Sequence, residues 1–208
     1  MGKINGEWLF ATNFLKHPVM LGSIIPSSRR LIRTLLAPVD WERARYFVEY
    51  GPGVGTITRQ ILQRMHPDAR LLALEINQDF VRYLQSAIDD PRLVVRGDSA
   101  SDLGAVLDEL QWPRIDYAVS GIPFSTMDPA DVTAVLDETR GRLSPEGEFL
   151  VYQFSKRSGE YLRGHFEDIR REFVLWNMPP ASCYRARSSE QGGEIKPAEG
   201  GSATGNPG

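Results

Sequence analysis

The chain is poor in the residues that build cross-links and metal centres. Its 208 residues include one cysteine, Cys183, and three histidines, His17, His66 and His165. A single cysteine excludes an intramolecular disulfide framework and a cysteine-rich zinc site. The histidines stand far apart and follow no ligand spacing, so no metal site is expected. No apolar run approaches the roughly 18 residues of a membrane span. Nor does the N-terminus resemble a signal peptide, since Lys3 is soon followed by Asn5, Gly6 and Glu7 instead of an apolar core. An excess of one charge is also missing. The net charge is −3 and the pI is about 5.7, which excludes a global basic field for nucleic acid but leaves a local patch open. The missing span and signal peptide lead us to expect a cytoplasmic protein, peripheral on a membrane if it meets one, and a monomer is expected.

What is present is a globular composition with room for one full core. Strand-like and helix-like segments alternate. Strands are expected at 45–50, 69–76, 92–98, 114–120 and 147–155, and helices at 56–66, 78–88, 102–110 and 129–142, the latter from apolar residues at helical spacing. Two further strands, 171–178 and 181–187, follow each other around Pro179-Pro180. The alternation predicts an α/β fold, with a doubly wound, seven-stranded, mostly parallel sheet closed by an antiparallel C-terminal hairpin. Residues 1–18 are expected to carry an amphipathic helix and 19–187 to form the domain. Residues 188–208 are rich in Gly, Ser, Glu and Pro, cannot bury enough surface to offset their ordering entropy, and are expected to be a disordered tail.

A glycine-rich turn, "VEYGPGVGT" (48–56), follows the first strand of the alternating pattern. Gly51, Gly53 and Gly55 permit a tight turn and close approach of a ligand to the backbone. The helix behind them offers free N–H groups to an anion. The spacing is neither the dinucleotide fingerprint nor a P-loop. Instead Glu49 stands just before the loop, where a carboxylate suits a cationic group. Glu75 ends the second strand, where an acid can accept hydrogen bonds from two ribose hydroxyls. Asp98 ends the third. Three successive strands thus carry an acid at the edge where doubly wound folds bind ligands.

Glu49-Tyr50-Gly51-Pro52-Gly53-Val54-Gly55, Glu75 and Asp98 together resemble the motifs of class I S-adenosylmethionine-dependent methyltransferases. The resemblance spans roughly 20–187 and implies S-adenosyl-L-methionine as cofactor. It implies that Glu49 and the loop Gly51, Gly53, Gly55 and Thr56 surround the methionine part. Glu75, with Ile76 beside it, would hold the ribose, and Asp98 with Ser99 the adenine.

The end of the fourth strand, Ser120-Gly121-Ile122-Pro123-Phe124, then faces the methyl group. It resembles the Asn/Asp/Ser-x-x-Pro-Phe/Tyr loop of enzymes that methylate nitrogen. Ser120 and backbone carbonyls such as that of Ile122 can accept an amine's hydrogens, and Phe124 can support a flat base by stacking or an ammonium by cation–π contact. This pattern leaves two acceptors open, an adenine of RNA and the amine of phosphatidylethanolamine. No general base is evident. "EWLFATNFLKHP" (7–18) is a helical candidate with Trp8, Phe10 and Phe14 on one broad face, as an interfacial helix would have. Lys3, Lys16, Arg29, Arg30 and Arg33 make this region basic, with Glu7 as its only acid, which suits an anionic membrane surface. Three segments, 21–36, 49–62 and 177–185, resemble the bacterial phospholipid N-methyltransferase family, and the comparison puts Ser27 and Ser28 near the cofactor. That resemblance implies a phospholipid head group as partner at the inner membrane face. RNA remains a second acceptor, disfavoured by the acidic pI and the tail in place of a helical RNA domain, and DNA is not expected; a non-catalytic, cofactor-binding membrane or assembly factor is the alternative to an enzyme.

Overall fold

The computed structural model describes residues 29–155, 158–175 and 180–188. The helix expected at 7–18, Ser27, Ser28 and the tail beyond Ser188 lie outside the described residues. Helix α1 (Arg29–Leu35) leads into strand β1 (Tyr46–Tyr50). There follow α2 (Thr56–Leu62), β2 (Arg70–Leu74), α3 (Gln78–Ala87), β3 (Leu93–Arg96), α4 (Leu103–Leu110), β4 (Ile115–Ser120), α5 (Pro129–Arg142), β5 (Leu143–Gln153), α6 (Ser158–His165), β6 (Asp168–Val174) and β7 (Ala181–Arg187).

The strands form one seven-stranded sheet in the order β3-β2-β1-β4-β5-β7-β6. β1 to β5 run parallel, and β7 pairs antiparallel with both β5 and β6. This is the α/β architecture expected from the alternation. Strand β1 is buried almost throughout, as a central strand with helices on both faces must be. One face packs Val48, Tyr50, Ala118 and Phe149 against α4, α5 and α6. The other packs Phe47, Leu71, Val119 and Leu150 against α1 and α2. Helix boundaries follow local chemistry: Asn77 and Asp128 cap α3 and α5 by accepting from the amides of Asp79 and Ala130, and Pro129 opens α5, where no amide is needed.

Two expectations at the C-terminal end are corrected. Strand β6 is Asp168–Val174, so it begins before the expected 171 and has ended by Leu175, while 176–178 lie outside the described residues; helix α6 is additional. As an edge strand, β6 is mostly exposed and has no alternating burial to reveal it, while exposed Phe173 and Leu175 draw the apolar pattern too far forward. Strand β5 also begins earlier than expected, at Leu143.

The hairpin is fastened to the sheet by charge. Glu148 of β5 is buried and accepts from the guanidinium groups of both Arg185 and Arg187 on β7. Removing the carboxylate leaves two arginines facing a desolvated position. Glu148→Ala is therefore expected to lower unfolding free energy by about 2–4 kcal/mol, read as a shifted denaturant midpoint. Since Arg187 is partly exposed and can turn to solvent, Arg187→Ala should cost less.

Candidate active site

Strand order reverses between β2-β1 and β4-β5, so the carboxyl ends of β1 and β4 part company there and open a crevice. Tyr50 pairs with Ser120 in the parallel register. The glycine loop and the loop after β4, 70 residues apart in sequence, thereby start side by side.

All three loop glycines adopt positive φ: 67° at Gly51, 55° at Gly53 and 78° at Gly55. Two have no room for a side chain. A Cβ on Gly51 would lie 2.9 Å from Cγ2 of Ile122, and one on Gly55 would lie 2.7 Å from Cδ2 of Leu84. The loop is thus a close backbone cradle, and Thr56 at its end begins α2.

Two buried carboxylates brace it. Glu49 accepts a 2.6 Å hydrogen bond from Oγ1 of Thr58, in the first turn of α2. Burial raises its pKa to about 7, against the lowering pull of the Thr58 hydroxyl and with a smaller push from the Glu75 charge. Glu75 accepts from the amide of Gly53 at 3.1 Å through Oε2 and from that of Asn77 at 2.9 Å through Oε1. Burial raises its pKa too, opposed by those amide hydrogen bonds. Beside it, Ile76 is 61% exposed, an apolar side chain held in solvent at the crevice. At the end of β3, Asp98 is ion-paired with Arg96 at 2.9 Å, and Ser99 caps the 3-10 turn Ala100–Asp102 in a capping box with Asp102. Thr58 is the functional residue that the sequence reading missed. Its signal was a lone hydroxyl among the apolar positions of α2, nine residues after Glu49.

The loop after β4 differs from expectation in one respect. Phe124 is fully buried, packed in the core with Tyr50, Val132 and Leu136. The 3-10 turn that follows Pro123 swings the ring inward, so Phe124 presents no open face for stacking or for an ammonium. Tyr50, Tyr152 and Tyr184 are core residues as well, and Tyr50 exchanges a 2.9 Å hydrogen bond with Thr139. The oxygens remain. Ser120 Oγ is buried and makes no hydrogen bond among the described residues. The Ile122 carbonyl accepts from Nε2 of Gln153 at 2.6 Å.

Fold and site together define a class I methyltransferase. No family model matches the chain. The ornithine lipid N-methyltransferase of Singulisphaera acidiphila is 33% identical over 193 residues, 88% of this chain and 97% of that protein. The chain belongs to the same methyltransferase family. The ribosomal RNA small subunit methyltransferase A of Mycoplasma mycoides is 25% identical over 115 residues, 51% of this chain and 42% of that protein. Among solved structures, the precorrin-6y C5,15-methyltransferase of Geobacter metallireducens superposes with a TM-score of 0.62 at 16% identity, covering 78% of this chain and 89% of that one. The 1,6-didemethyltoxoflavin-N1-methyltransferase of Burkholderia thailandensis, solved with S-adenosylhomocysteine, gives 0.60 at 16% identity, covering 91% of each chain.

The protein is an S-adenosylmethionine-dependent methyltransferase, and the residues present fit that cofactor. The positive-φ glycine loop presents backbone without side chains, and the two buried acids, Glu49 and Glu75, form no ion pair among the described residues. Glu49 would hold the cofactor's α-ammonium and Glu75 its ribose hydroxyls, with Asp98 and Ser99 towards its adenine. An incoming ammonium favours ionised Glu49, so binding releases a proton near pH 7. Affinity for S-adenosylhomocysteine should therefore rise about tenfold from pH 6 to pH 8, with calorimetric enthalpies that depend on the buffer's ionisation heat. Glu49→Gln should weaken binding and abolish that pH dependence. The sign is opposite for the free protein: its raised carboxyl makes the folded state bind the proton more tightly, so this group's contribution to stability falls as pH rises from about 4.5 to about 7.

Proposed function

We propose that the protein N-methylates the amine of a polar membrane lipid: phosphatidylethanolamine or its methylated derivatives, or an ornithine lipid as in its relative. The observation that carries this is the near end-to-end match to a lipid N-methyltransferase, spanning cradle and acceptor loop alike. The acceptor loop supports it. Its polar groups are oxygens: Ser120 Oγ, buried and without a hydrogen-bond partner among the described residues, and the Ile122 carbonyl, which keeps a second lone pair; both suit N–H donors. The ring that would stack a flat base lies in the core, which favours an amine over an RNA adenine.

When bound, S-adenosylmethionine supplies an electrophilic methyl on its sulfonium sulfur. The chain positions and desolvates the acceptor. The lipid ammonium first gives a proton to water, and its two remaining N–H groups donate to the loop oxygens. The loop oxygens hold those hydrogens aside so that the lone pair faces the methyl, whose transfer would form the N–C bond as the C–S electrons return to sulfur. The secondary ammonium so formed sheds a proton before any further round.

The chain would act as a peripheral protein of the cytoplasmic membrane face. No helix among the described residues is long and apolar enough to cross a membrane. The basic, aromatic segment 1–18 is the expected contact with anionic lipid.

Radiolabelled methyl transfer to vesicles containing phosphatidylethanolamine or ornithine lipid, run beside ribosomal RNA, tests the acceptor. Label is expected in lipid; label confined to RNA would refute the proposal. Vesicle co-sedimentation of the full chain should exceed that of a chain lacking residues 1–18, and equal binding would remove that segment's membrane role.

A further inference from the structure

The loop after β4 is gripped by two consecutive residues of β5 whose side chains point to opposite faces. On one side stands Tyr152. A Cβ on Gly121 would lie 2.4 Å from its phenolic oxygen, so only glycine lets the backbone pass. On the other side stands Gln153, 3% exposed, whose Nε2 donates to the Ile122 carbonyl at 2.6 Å. Ile122 is pressed in turn against the glycine loop, since its Cγ2 occupies the space a Gly51 Cβ would need. The Ile122 peptide is therefore located from three directions: by cradle, by Tyr152 and by Gln153.

The backbone ladder of β5 does not depend on this side-chain hydrogen bond. β5 is already paired on both sides, with β4 through Ser120↔Val151 and with β7 through Gln153↔Ser182. A leucine would fill similar volume without a polar group to satisfy. The hydrogen bond has one evident consequence: it fixes the direction of the Ile122 carbonyl. A carbonyl oxygen has two lone-pair directions, so one hydrogen bond from Gln153 leaves a second, and its aim is now set.

We infer that Gln153 is a positioning residue for methyl transfer, aiming the Ile122 carbonyl so that this oxygen and Ser120 Oγ together orient the acceptor nitrogen. This rests on the nitrogen-acceptor reading above. A neutral primary amine has two N–H bonds and one lone pair. Two fixed acceptor oxygens determine where the lone pair points, and in-line attack tolerates little misdirection. Gln153 is buried, and its Nε2 donates to the Ile122 carbonyl. It acts through the carbonyl.

Gln153→Leu and Gln153→Glu test this in the full chain. Gln153→Leu removes the donor and keeps the bulk. Its kcat should fall about 10–100-fold, the scale expected of a misaimed reacting group. Its calorimetric affinity for S-adenosylhomocysteine and its melting temperature should stay close to wild type. The carbonyl carbon resonance of isotopically labelled Ile122 should shift in the same variant, reporting loss of the hydrogen bond without turnover. Gln153→Glu supplies a donor only when its carboxyl is protonated, so its activity relative to wild type should rise as pH is lowered from 8 to 6. Taking the ratio cancels titration of the acceptor amine and of Glu49, which both enzymes share.

Unchanged kcat in Gln153→Leu, or a Gln153→Glu ratio that is flat with pH, would overturn the assignment. So would a loss of kcat matched by equal losses of ligand affinity and melting temperature, which would mark a merely structural residue. The assays are run on lipid vesicles and on RNA in parallel. If the wild type methylates only RNA, the lipid reading falls while the Gln153 ratios are read on the adenine nitrogen. Wild type inactive on both would overturn the two readings together.

Discussion

Everything at the site depends on how β1 pairs with its two neighbours. The ladder does not stop at the ends of the strands. Past Tyr50, the amide of Gly51 still donates to the Leu74 carbonyl of β2. Past Ser120, the amide of Gly121 donates back to the Tyr50 carbonyl of β1. The first residue of the cofactor loop and the first residue of the acceptor loop are thus set by the sheet itself. Rigid strands transmit their register directly to the reacting groups, which loops alone would not hold to a fraction of an ångström. It is this close approach that forces glycine at 51 and 121, because Ile122 and Tyr152 already occupy the space where their side chains would go.

The same sheet edge stores electrostatic cost. Glu49 and Glu75 are buried close enough that the charge of one raises the pKa of the other. Each has some relief, from the Thr58 hydroxyl or from the Gly53 and Asn77 amides, yet burial outweighs it in both. A cradle with one carboxyl partly protonated at neutral pH is preorganised for a ligand that brings a cation and hydroxyl donors. Binding replaces lost hydration with matched partners, and the rigid glycine backbone adds no ordering cost of its own.

The parts of this arrangement that were legible in the sequence are those with a short-range signature. Central strands announce themselves as apolar runs, and the glycine loop and the three strand-end acids keep a fixed spacing from those runs. Helix α6 does not announce itself. Of "SGEYLRGH", Leu162 alone is a fully buried large apolar residue, so no amphipathic period emerges. The burial of Phe124 is invisible for another reason. A Pro-Phe turn can throw its ring inward or outward, and the choice is made by α5, whose Val132 and Leu136 receive it. Gln153 looks like a polar strand end. Its partner, 31 residues away, is a backbone carbonyl, and a carbonyl carries no sequence identity at all.

With the phenylalanine ring in the core, the acceptor loop must discriminate by hydrogen-bond geometry and not by stacking. A flat heteroaromatic amine keeps its lone pair delocalised and gains most from a ring beneath it. An aliphatic amine has a localised lone pair and gains most from oxygens that hold its hydrogens aside. The loop offers the second kind of surface, in a position too dry for water to replace those oxygens without cost. The number of hydrogens on the nitrogen then decides how many of them can be used: two for a neutral primary amine, one after the first methyl, none after the second. On the proposed reading, orientation by Ser120 and Ile122 would be strongest for the first transfer, and later transfers would depend increasingly on shape and exclusion of water.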